Sequence, residues 1–287
     1  MPRRTSAPPL VIRPEADWGL SLGLAELWHY RDLVGLLALR DLKVRYKQSV
    51  LGASWVLLQP LLTLAVFAGL FGVLLGPGRL PVAPGSSYAL STFCALALWQ
   101  LFARGVAAGG DSLVANQALV TKVYFPRLAV PVAPVLAALA DFGLAFAVLV
   151  PLLALRGAAP GSALLILPLI VLQTLACSLG VALWLAAVNA LYRDVRVALP
   201  FLVQLWMLVT PVVYTAEHVL RGRPAWAAWL YALNPMVGCV EGFRYALLGG
   251  AQPPALLVSV SLSTTLLLLV TGLAVFHRLE PHIADRV

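Results

Sequence analysis

Long apolar segments constrain this chain more than any other feature of its sequence. A helix of about 20 apolar residues can cross the hydrocarbon core of a bilayer. The sequence is 61% hydrophobic and 11% charged, whereas soluble domains carry roughly 25% charged residues. We therefore predict an all-α integral membrane protein with six transmembrane helices. The six apolar segments lie at 51–75, 88–110, 127–154, 163–189, 197–215 and 255–276.

The charges between these segments predict the orientation of the chain. All but five of the 20 Lys and Arg residues lie before the first apolar segment, near 104–127, near 190–196 or at the C-terminus. Because cytoplasmic loops carry an excess of Lys and Arg, both termini are predicted in the cytoplasm. This makes 1–24 a cytoplasmic tail, 49–276 the transmembrane domain and 277–287 a cytoplasmic C-terminus. The net charge of +8 sits at segment ends, so we expect contact with membrane lipids and not with nucleic acid.

A basic run comes directly before the first apolar segment. Its cations are Arg40, Lys43, Arg45 and Lys47. The segment 25–48 carries too many charges to span a membrane. In a helix, Leu39, Leu42 and Tyr46 fall on one face and most of the cations on a neighbouring face. The pattern predicts an N-terminal amphipathic helix that lies in the cytoplasmic interface.

Two further segments are predicted to contain short helices. The first, 111–124, lies between the second and third spans, with Asp111 or Ser112 as its N-cap. The second is the outer loop 217–254, which is apolar but interrupted at Asn234-Pro235. A proline breaks the hydrogen-bond ladder of a helix, so we predict a re-entrant loop of short broken helices before the last span.

Individual side chains in and beside the apolar segments carry two smaller expectations. Glu241 and Arg244 are three residues apart in the outer loop, so they can pair on one helix face. Cys94, Cys177 and Cys239 show no metal or disulfide spacing and are expected as small core hydrophobes.

Four motifs resemble those of a known family of membrane proteins. The family comprises the type 2 permeases of ABC transporters that export polysaccharides, including O-antigen and teichoic-acid exporters. The motifs are Arg45-Tyr46-Lys47-Gln48-Ser49 with Leu51-Gly52, Trp55 and Pro60-Leu61; Asn116 with Leu119-Val120, Lys122, Phe125-Pro126-Arg127 and Pro131; Asn189 with Tyr192 to Arg196, Pro200-Phe201, Gln204, Trp206, Thr210-Pro211-Val212 and Tyr214; and Asn234-Pro235 with Phe243-Arg244.

The resemblance implies a transport subunit of a bacterial cytoplasmic membrane, and not an enzyme. Such permeases act as homodimers that bind two copies of a cytoplasmic ATP-binding subunit and export a glycan linked to polyprenyl diphosphate. The sequence contains no P-loop GxxxxGK[ST], so ATP and Mg²⁺ are expected on the partner. We expect no cofactor, metal site or catalytic residue in this chain.

Three groups of residues are candidates for these functions. The substrate diphosphate would bind Arg40, Lys43, Arg45 and Lys47, although positive-inside anchoring alone could explain the same run. The glycan channel would be lined by Trp55, Gln59, Trp99, Phe102, Trp206 and Tyr214, whose alternative role is packing or interfacial anchoring. Coupling to the ATP-binding subunit would use Asp111, Ser112, Asn116, Lys122, Tyr124, Arg193 and Asp194.

Some alternatives stay open at this stage. Asp141 is an acid inside a predicted span, where a structural hydrogen bond to a neighbouring span is the default and proton relay the alternative. An ABC exporter of a small hydrophobic drug or lipid is a second function. A membrane-embedded enzyme that acts on polyprenyl lipids is a third, although its chemistry would need paired carboxylates or a metal cluster. The acids here are scattered.

Overall fold

The computed structural model describes most of the predicted transmembrane domain. The predicted tail 1–24 and the candidate residues Tyr124 and Arg193 lie outside the described residues. These are 26–47, 52–75, 87–122, 125–155, 162–192, 194–250 and 252–286.

Helices make up the described part of the chain, as the apolar segments predicted. Two 3₁₀ turns, Gly52–Ser54 and Ser162–Ile166, come directly before α2 and α6. In chain order the helices are α1 (Arg31–Lys47), α2 (Trp55–Leu75), α3 (Tyr88–Ala115), α4 (Gln117–Lys122), α5 (Ala129–Leu155), α6 (Leu167–Leu191), α7 (Asp194–Val209), α8 (Ala216–Leu220), α9 (Ala225–Ala232), α10 (Pro235–Leu248) and α11 (Ala255–Arg286).

Four helices in the described residues are long and apolar enough to cross a membrane. They are Tyr88–Ala115, Ala129–Leu155, Ala163–Leu191 and Ala255–Pro281. These correspond to four of the six predicted spans. The segment 51–75 contributes a shorter apolar helix, Trp55–Phe71, so the count of six is not confirmed.

The segment 197–215 does not form one straight helix. α7 ends at Val209 and a turn follows. Pro211 explains the end, because a proline disfavours helical geometry in the residue before it and has no N–H to donate. At 1.5 Å per residue, the 16 residues of α7 extend about 24 Å, less than the roughly 30 Å of a hydrocarbon core.

α3 lies at the centre of the bundle, where it packs against α5 and α6. Its side chains Leu96, Leu98, Leu101 and Phe102 are fully buried. α11 packs on the other side of α6, and α10 packs against α3, α6 and α11. The three predicted core cysteines are buried, as expected: Cys94, Cys177 and Cys239.

Glycines allow these helices to approach closely. A Cβ added at Gly105 in α3 would lie 2.2 Å from Ser178 Oγ of α6. A Cβ at Gly272 in α11 would lie 2.4 Å from the carbonyl oxygen of Gly180 in α6. Small residues at such crossings are typical of helix pairs in membranes, where close backbone packing contributes to association.

α1 packs against α5, and the face that it buries there is not the apolar face predicted to lie toward the membrane interface. Its buried residues are Val34 and Leu37, whereas Leu39 is 53% exposed. The predicted helix is therefore present, but the amphipathic pattern of Leu39, Leu42 and Tyr46 is not confirmed by the packing. The spacing of apolar residues shows which of them share a face of the helix. It does not show which face packs against a neighbouring helix.

Candidate functional site

An open cleft lies where α1, the start of α2 and the middle of α3 meet. Its volume is about 400 Å³, within the range of roughly 300–1,000 Å³ that is typical of ligand sites. We call it the junction cleft. Its lining residues are Arg45, Tyr46, Gly52, Trp55, Val56, Gln59, Arg104, Ala107 and Ala108. The cleft thus combines two cations with aromatic and small apolar side chains.

Four side chains at the inner edge of the cleft form what we call the Asp141 cluster: Arg45, Tyr46, Arg104 and Asp141. Both guanidinium groups bond Asp141 Oδ2, with Arg104 Nη1 at 2.9 Å. The Tyr46 hydroxyl donates to Asp141 Oδ1. The Asp141 side chain is 3% exposed. Burial, together with the hydrogen bond to Asp141, raises the pKa of Tyr46 above its ordinary value, so the phenol is protonated and donates.

Through the contact between Arg104 and Gln59, the cluster connects four helices, α1, α2, α3 and α5, around a buried carboxylate. Besides Asp141 of α5, Arg104 of α3 contacts Gln59 of α2 at 3.3 Å and Gln100 of its own helix at 3.4 Å. Asp141 therefore bonds a neighbouring span, as the default expectation had it, through an ion pair with Arg104 of α3, and it also pairs with Arg45 of α1. A carboxylate inside a span is costly unless it is paired, and here it is.

The four predicted diphosphate ligands do not form one uniform cationic surface. Arg40 bonds Asp41 at 2.8 Å and the side chain of Asn116 at 2.6 Å. Arg45 forms an ion pair with Asp141. Lys43 and Lys47 are exposed, and no hydrogen bond or ion pair holds either of them among the described residues. The structure thus divides the run into two paired arginines and two exposed lysines.

The predicted coupling helix 111–124 is not a separate helix, which corrects that expectation. α3 continues to Ala115, and only the six residues of α4 follow. Ser112 is buried and donates to the carbonyl of Gly109 within α3, so it is not an N-cap. Asp111 pairs with Arg196 at 3.1 Å. No proline or second cap interrupts α3 before Asn116, which explains why it continues.

The remaining coupling candidates lie near this end of the bundle. Asn116 is the C-cap of α3, and its side chain accepts from Arg40. Lys122 at the end of α4 and Asp194 at the start of α7 are exposed. The part of the predicted surface that is described is therefore made of helix ends and not of one helix face.

The aromatic channel candidates divide into buried and accessible side chains. Trp99 is 2% exposed and Phe102 is fully buried in the core, so neither lines an open surface of this chain. Trp55 is 47% exposed and Gln59 is exposed beside it, both in the junction cleft. The burial of Trp99 and Phe102 follows from the rotational setting of α3, which packs against α5 and α6.

Trp206 and Tyr214 hold the irregular segment after α7. The indole of Trp206 packs edge-on against Phe102, with ring centroids 5.0 Å apart, and its N–H donates to Asn234 Oδ1 at 2.9 Å. Asn234 in turn donates to Thr210 at 2.9 Å. The Tyr214 hydroxyl donates to the carbonyl of Leu208 at 2.8 Å.

The predicted broken loop is present as α8, α9 and α10. Asn234 caps α10, since its side chain accepts from the N–H of Met236. The predicted Glu241–Arg244 pair is confirmed at 3.1 Å. Arg244 also donates to the carbonyls of Val212 and Tyr214, at 2.6 and 2.8 Å. It thereby fixes the turn after α7 to α10.

Comparison with known proteins identifies the family. A family model described as ABC-2 type transporter matches residues 32–248. The chain belongs to the ABC-2 type transporter family. The O-antigen export system permease protein RfbA of Myxococcus xanthus is 29% identical to it over 262 residues, which cover 91% of this chain and 98% of that protein. The protein of the same name from Klebsiella pneumoniae is 26% identical over 255 residues, covering 88% and 94%.

Arg104 of this ABC-2 transporter's cleft is absent from the site residues that the sequence predicts. The positive-inside count places it with the cytoplasmic loop near 104–127, whereas in the structure it lies well inside α3. A usable signal existed: Arg104 and Asp141 are opposite charges inside consecutive apolar segments, where ionisable residues usually pair.

A Trp206→Phe variant of this transporter should test the network around Asn234. The ring contact with Phe102 would remain, while the hydrogen bond to Asn234 would be lost. We expect a loss of about 1 kcal/mol in the free energy of unfolding, the typical net value of one hydrogen bond. Thermal unfolding in detergent measures it, with Trp226→Phe on the exposed face of α9 as control. Equal stability of the Trp206 variant and the wild type would contradict the assignment.

Proposed function

We propose that this chain is the membrane subunit of an ATP-driven exporter of a polysaccharide linked to polyprenyl diphosphate, of the O-antigen or teichoic-acid type. The observation that carries the proposal is the near full-length similarity to O-antigen export permeases, which covers 91% of this chain and 98% of the Myxococcus xanthus protein. Membership of the ABC-2 type transporter family supports ATP-driven transport.

The junction cleft supports an anionic lipid as the substrate. Arg45 and Arg104 provide positive charge, and guanidinium groups bind phosphate oxygens with strong charge-assisted hydrogen bonds. Exposed Lys43 and Lys47 extend this charge along α1. α2, which begins at the cleft, is apolar apart from Gln59 and Thr63, so a lipid tail would remain in hydrocarbon beside it. The glycan would pass exposed Trp55 and Gln59 first and then Trp206 and Tyr214.

The assembly that we propose contains two copies of this chain and two copies of a cytoplasmic ATP-binding subunit. The permease would lie in a bacterial cytoplasmic membrane with both termini in the cytoplasm and α1 in the interface. The segment 111–124 would bind the ATP-binding subunit through α4 and the adjacent end of α3. The loop 217–254 would be re-entrant from the outer side.

Reconstitution tests the function directly. The permease and its ATP-binding subunit would be co-purified and placed in liposomes, and ATP hydrolysis would be measured with and without lipid-linked glycan. We expect glycan on polyprenyl diphosphate to stimulate hydrolysis and to move to the opposite leaflet. Stimulation by small hydrophobic compounds, with none by the lipid-linked glycan, would overturn the proposal.

Charge reversal on α1 is expected to abolish export. In a Lys43→Glu/Lys47→Glu variant, the two exposed cations become anions that repel a diphosphate. We expect glycan export in cells to fall at least tenfold, while membrane insertion and co-purification of the ATP-binding subunit stay normal. The matched control is Arg221→Glu/Arg223→Glu, because those two arginines are also exposed but follow α8. Normal export by the lysine variant would rule out this role for α1.

A further inference from the structure

The Asp141 cluster carries an imbalance of charge. Two guanidinium groups, of Arg45 and Arg104, share the single carboxylate of Asp141. Tyr46 adds a neutral donor to the same carboxylate. Asp141 therefore leaves one positive charge of the cluster without a neutralising partner. Such a site favours a second anion, since a buried or partly buried cation is unfavourable without a partner.

The two cations reach the junction cleft, whereas the carboxylate does not. Arg45 and Arg104 line the open junction cleft, and Asp141 is not among its lining residues. Asp141 lines a small void behind the cleft, about 10 Å³ in volume, together with Arg104, Gln100 and apolar residues that include Pro60 and Phe142. Arg45 and Arg104 are 29% and 18% exposed, whereas Asp141 is 3% exposed. An anion that enters the cleft would therefore reach both guanidinium groups without first meeting the carboxylate.

Arg45 and Tyr46 fasten the end of α1 to the bundle. Asp141 lies twelve residues beyond the start of α5 at Ala129, about 18 Å along that helix. The earlier part of α1 is held separately, through Val34, Leu37 and the bond from Arg40 to Asn116. A change at Asp141 would thus act on the end of α1 that precedes α2 and leave its other attachments in place.

We propose that the phosphate of an anionic lipid in the junction cleft displaces Asp141 from Arg45. Arg104 bonds Asp141 before the lipid arrives and the phosphate afterwards. In the unloaded transporter, Asp141 occupies the guanidinium donors that the phosphate takes on arrival. The exchange removes the ion pair between the C-terminal end of α1 and α5 and leaves Tyr46 as the remaining bond to Asp141. The end of α1 that precedes α2 is therefore held less tightly when substrate is bound. The identity of the lipid as a polyprenyl diphosphate rests on the proposed function; the exchange itself rests on the cluster.

The exchange predicts binding effects of opposite sign for two members of one cluster. Arg104→Gln removes a phosphate donor, so we expect polyprenyl diphosphate to bind at least tenfold more weakly. Asp141→Asn removes the competing charge but keeps an oxygen acceptor for Tyr46, so we expect five- to tenfold tighter binding, at the low end of typical coupling between two sites. A merely structural Asp141 would give weaker or unchanged binding, which would overturn the proposal.

The measurement uses the full-length permease with its ATP-binding subunit in lipid nanodiscs. The probes are polyprenyl diphosphate, uncharged polyprenol and inorganic diphosphate. Arg223→Gln, a variant of an exposed arginine beyond α8, serves as the matched control and should bind like the wild type. Inhibition of lipid binding by inorganic diphosphate at similar concentration would assign the cleft to free anions as well. If inorganic diphosphate does not affect lipid binding, the cleft binds phosphate only as part of a lipid headgroup.

A distance measurement keeps the proposal testable if Asp141→Asn does not fold. Spin labels at Val44→Cys in α1 and Leu144→Cys in α5, both exposed positions, report the separation of these helices in a chain with Asp141 intact. We expect polyprenyl diphosphate to increase the distance and polyprenol to leave it unchanged. An unchanged distance with bound diphosphate would overturn the exchange while leaving glycan export intact. If polyprenyl diphosphate increases the distance but the reconstituted transporter exports no glycan, the proposed function is overturned and the exchange is not.

Discussion

A Gly272→Ala variant should be among the least stable single variants of this transporter. The new methyl group would lie 2.4 Å from the carbonyl oxygen of Gly180, and the atom in its way is backbone that cannot rotate aside. α6 and α11 would have to separate. Overpacking of a close contact costs about 1–3 kcal/mol, occasionally more, and we expect the upper end. Thermal unfolding in detergent and recovery by size exclusion measure the loss.

Two other glycines make this result specific to the helix crossing. A Cβ at Gly180 would lie 2.7 Å from backbone atoms of Leu268 and Leu269, so Gly180→Ala should be similarly unstable. A Cβ added at Gly143 in α5 would meet no neighbouring helix or side chain within 4 Å. Gly143→Ala should therefore be neutral or gain up to about 1 kcal/mol from helix propensity. Equal losses at Gly143 and Gly272 would contradict the close-contact explanation.

Local features of the sequence were sufficient for much of the fold. Continuous apolar segments identified the four long helices, because spanning length and hydropathy are properties of the segments themselves. The Asn234-Pro235 break correctly predicted a helix boundary, since Pro at the first helical position and Asn at the N-cap favour a helix start. The Glu241–Arg244 pair followed from helical spacing alone.

The candidate site could not be predicted in the same way. Arg45 and Asp141 are 96 residues apart in sequence, and their pairing depends on α1 lying beside α5. A basic run before an apolar segment has a sufficient explanation in membrane topology, which concealed the specific role of Arg45. Residue type alone predicts Trp99 and Phe102 as channel residues. Burial, however, depends on which face of α3 its neighbours cover.

The boundary between α3 and the coupling segment shows a related difficulty. Asp111 and Ser112 are polar and precede an apolar stretch, which is a typical pattern for a helix start. In the structure both belong to the last turns of α3, where Ser112 bonds Gly109 and Asp111 pairs with Arg196. Polar residues at a helix end resemble those at a helix start, and only the partners distinguish the two.

The second large effect is expected at Arg244, which connects three separate parts of the bundle. Its guanidinium bonds the carbonyl of Ser91 in α3 at 3.3 Å, two carbonyls of the turn after α7, and Glu241 of its own helix. Glu241 also accepts from the N–H of Ala216 at 2.8 Å. Arg244 is 6% exposed, so water cannot replace these bonds without rearrangement of the helices.

An Arg244→Met variant keeps most of the apolar volume but leaves the Glu241 carboxylate and three carbonyls without their donor. Breaking a buried ion pair by removing one partner costs about 3–5 kcal/mol. We expect a loss of that size in the free energy of unfolding, measured by thermal unfolding in detergent. Glu241→Gln should cost less, because the amide oxygen still accepts from Ala216 and Arg244 keeps its carbonyls. If both variants lost the same small amount, the carbonyl contacts of Arg244 would contribute little to holding the turn after α7.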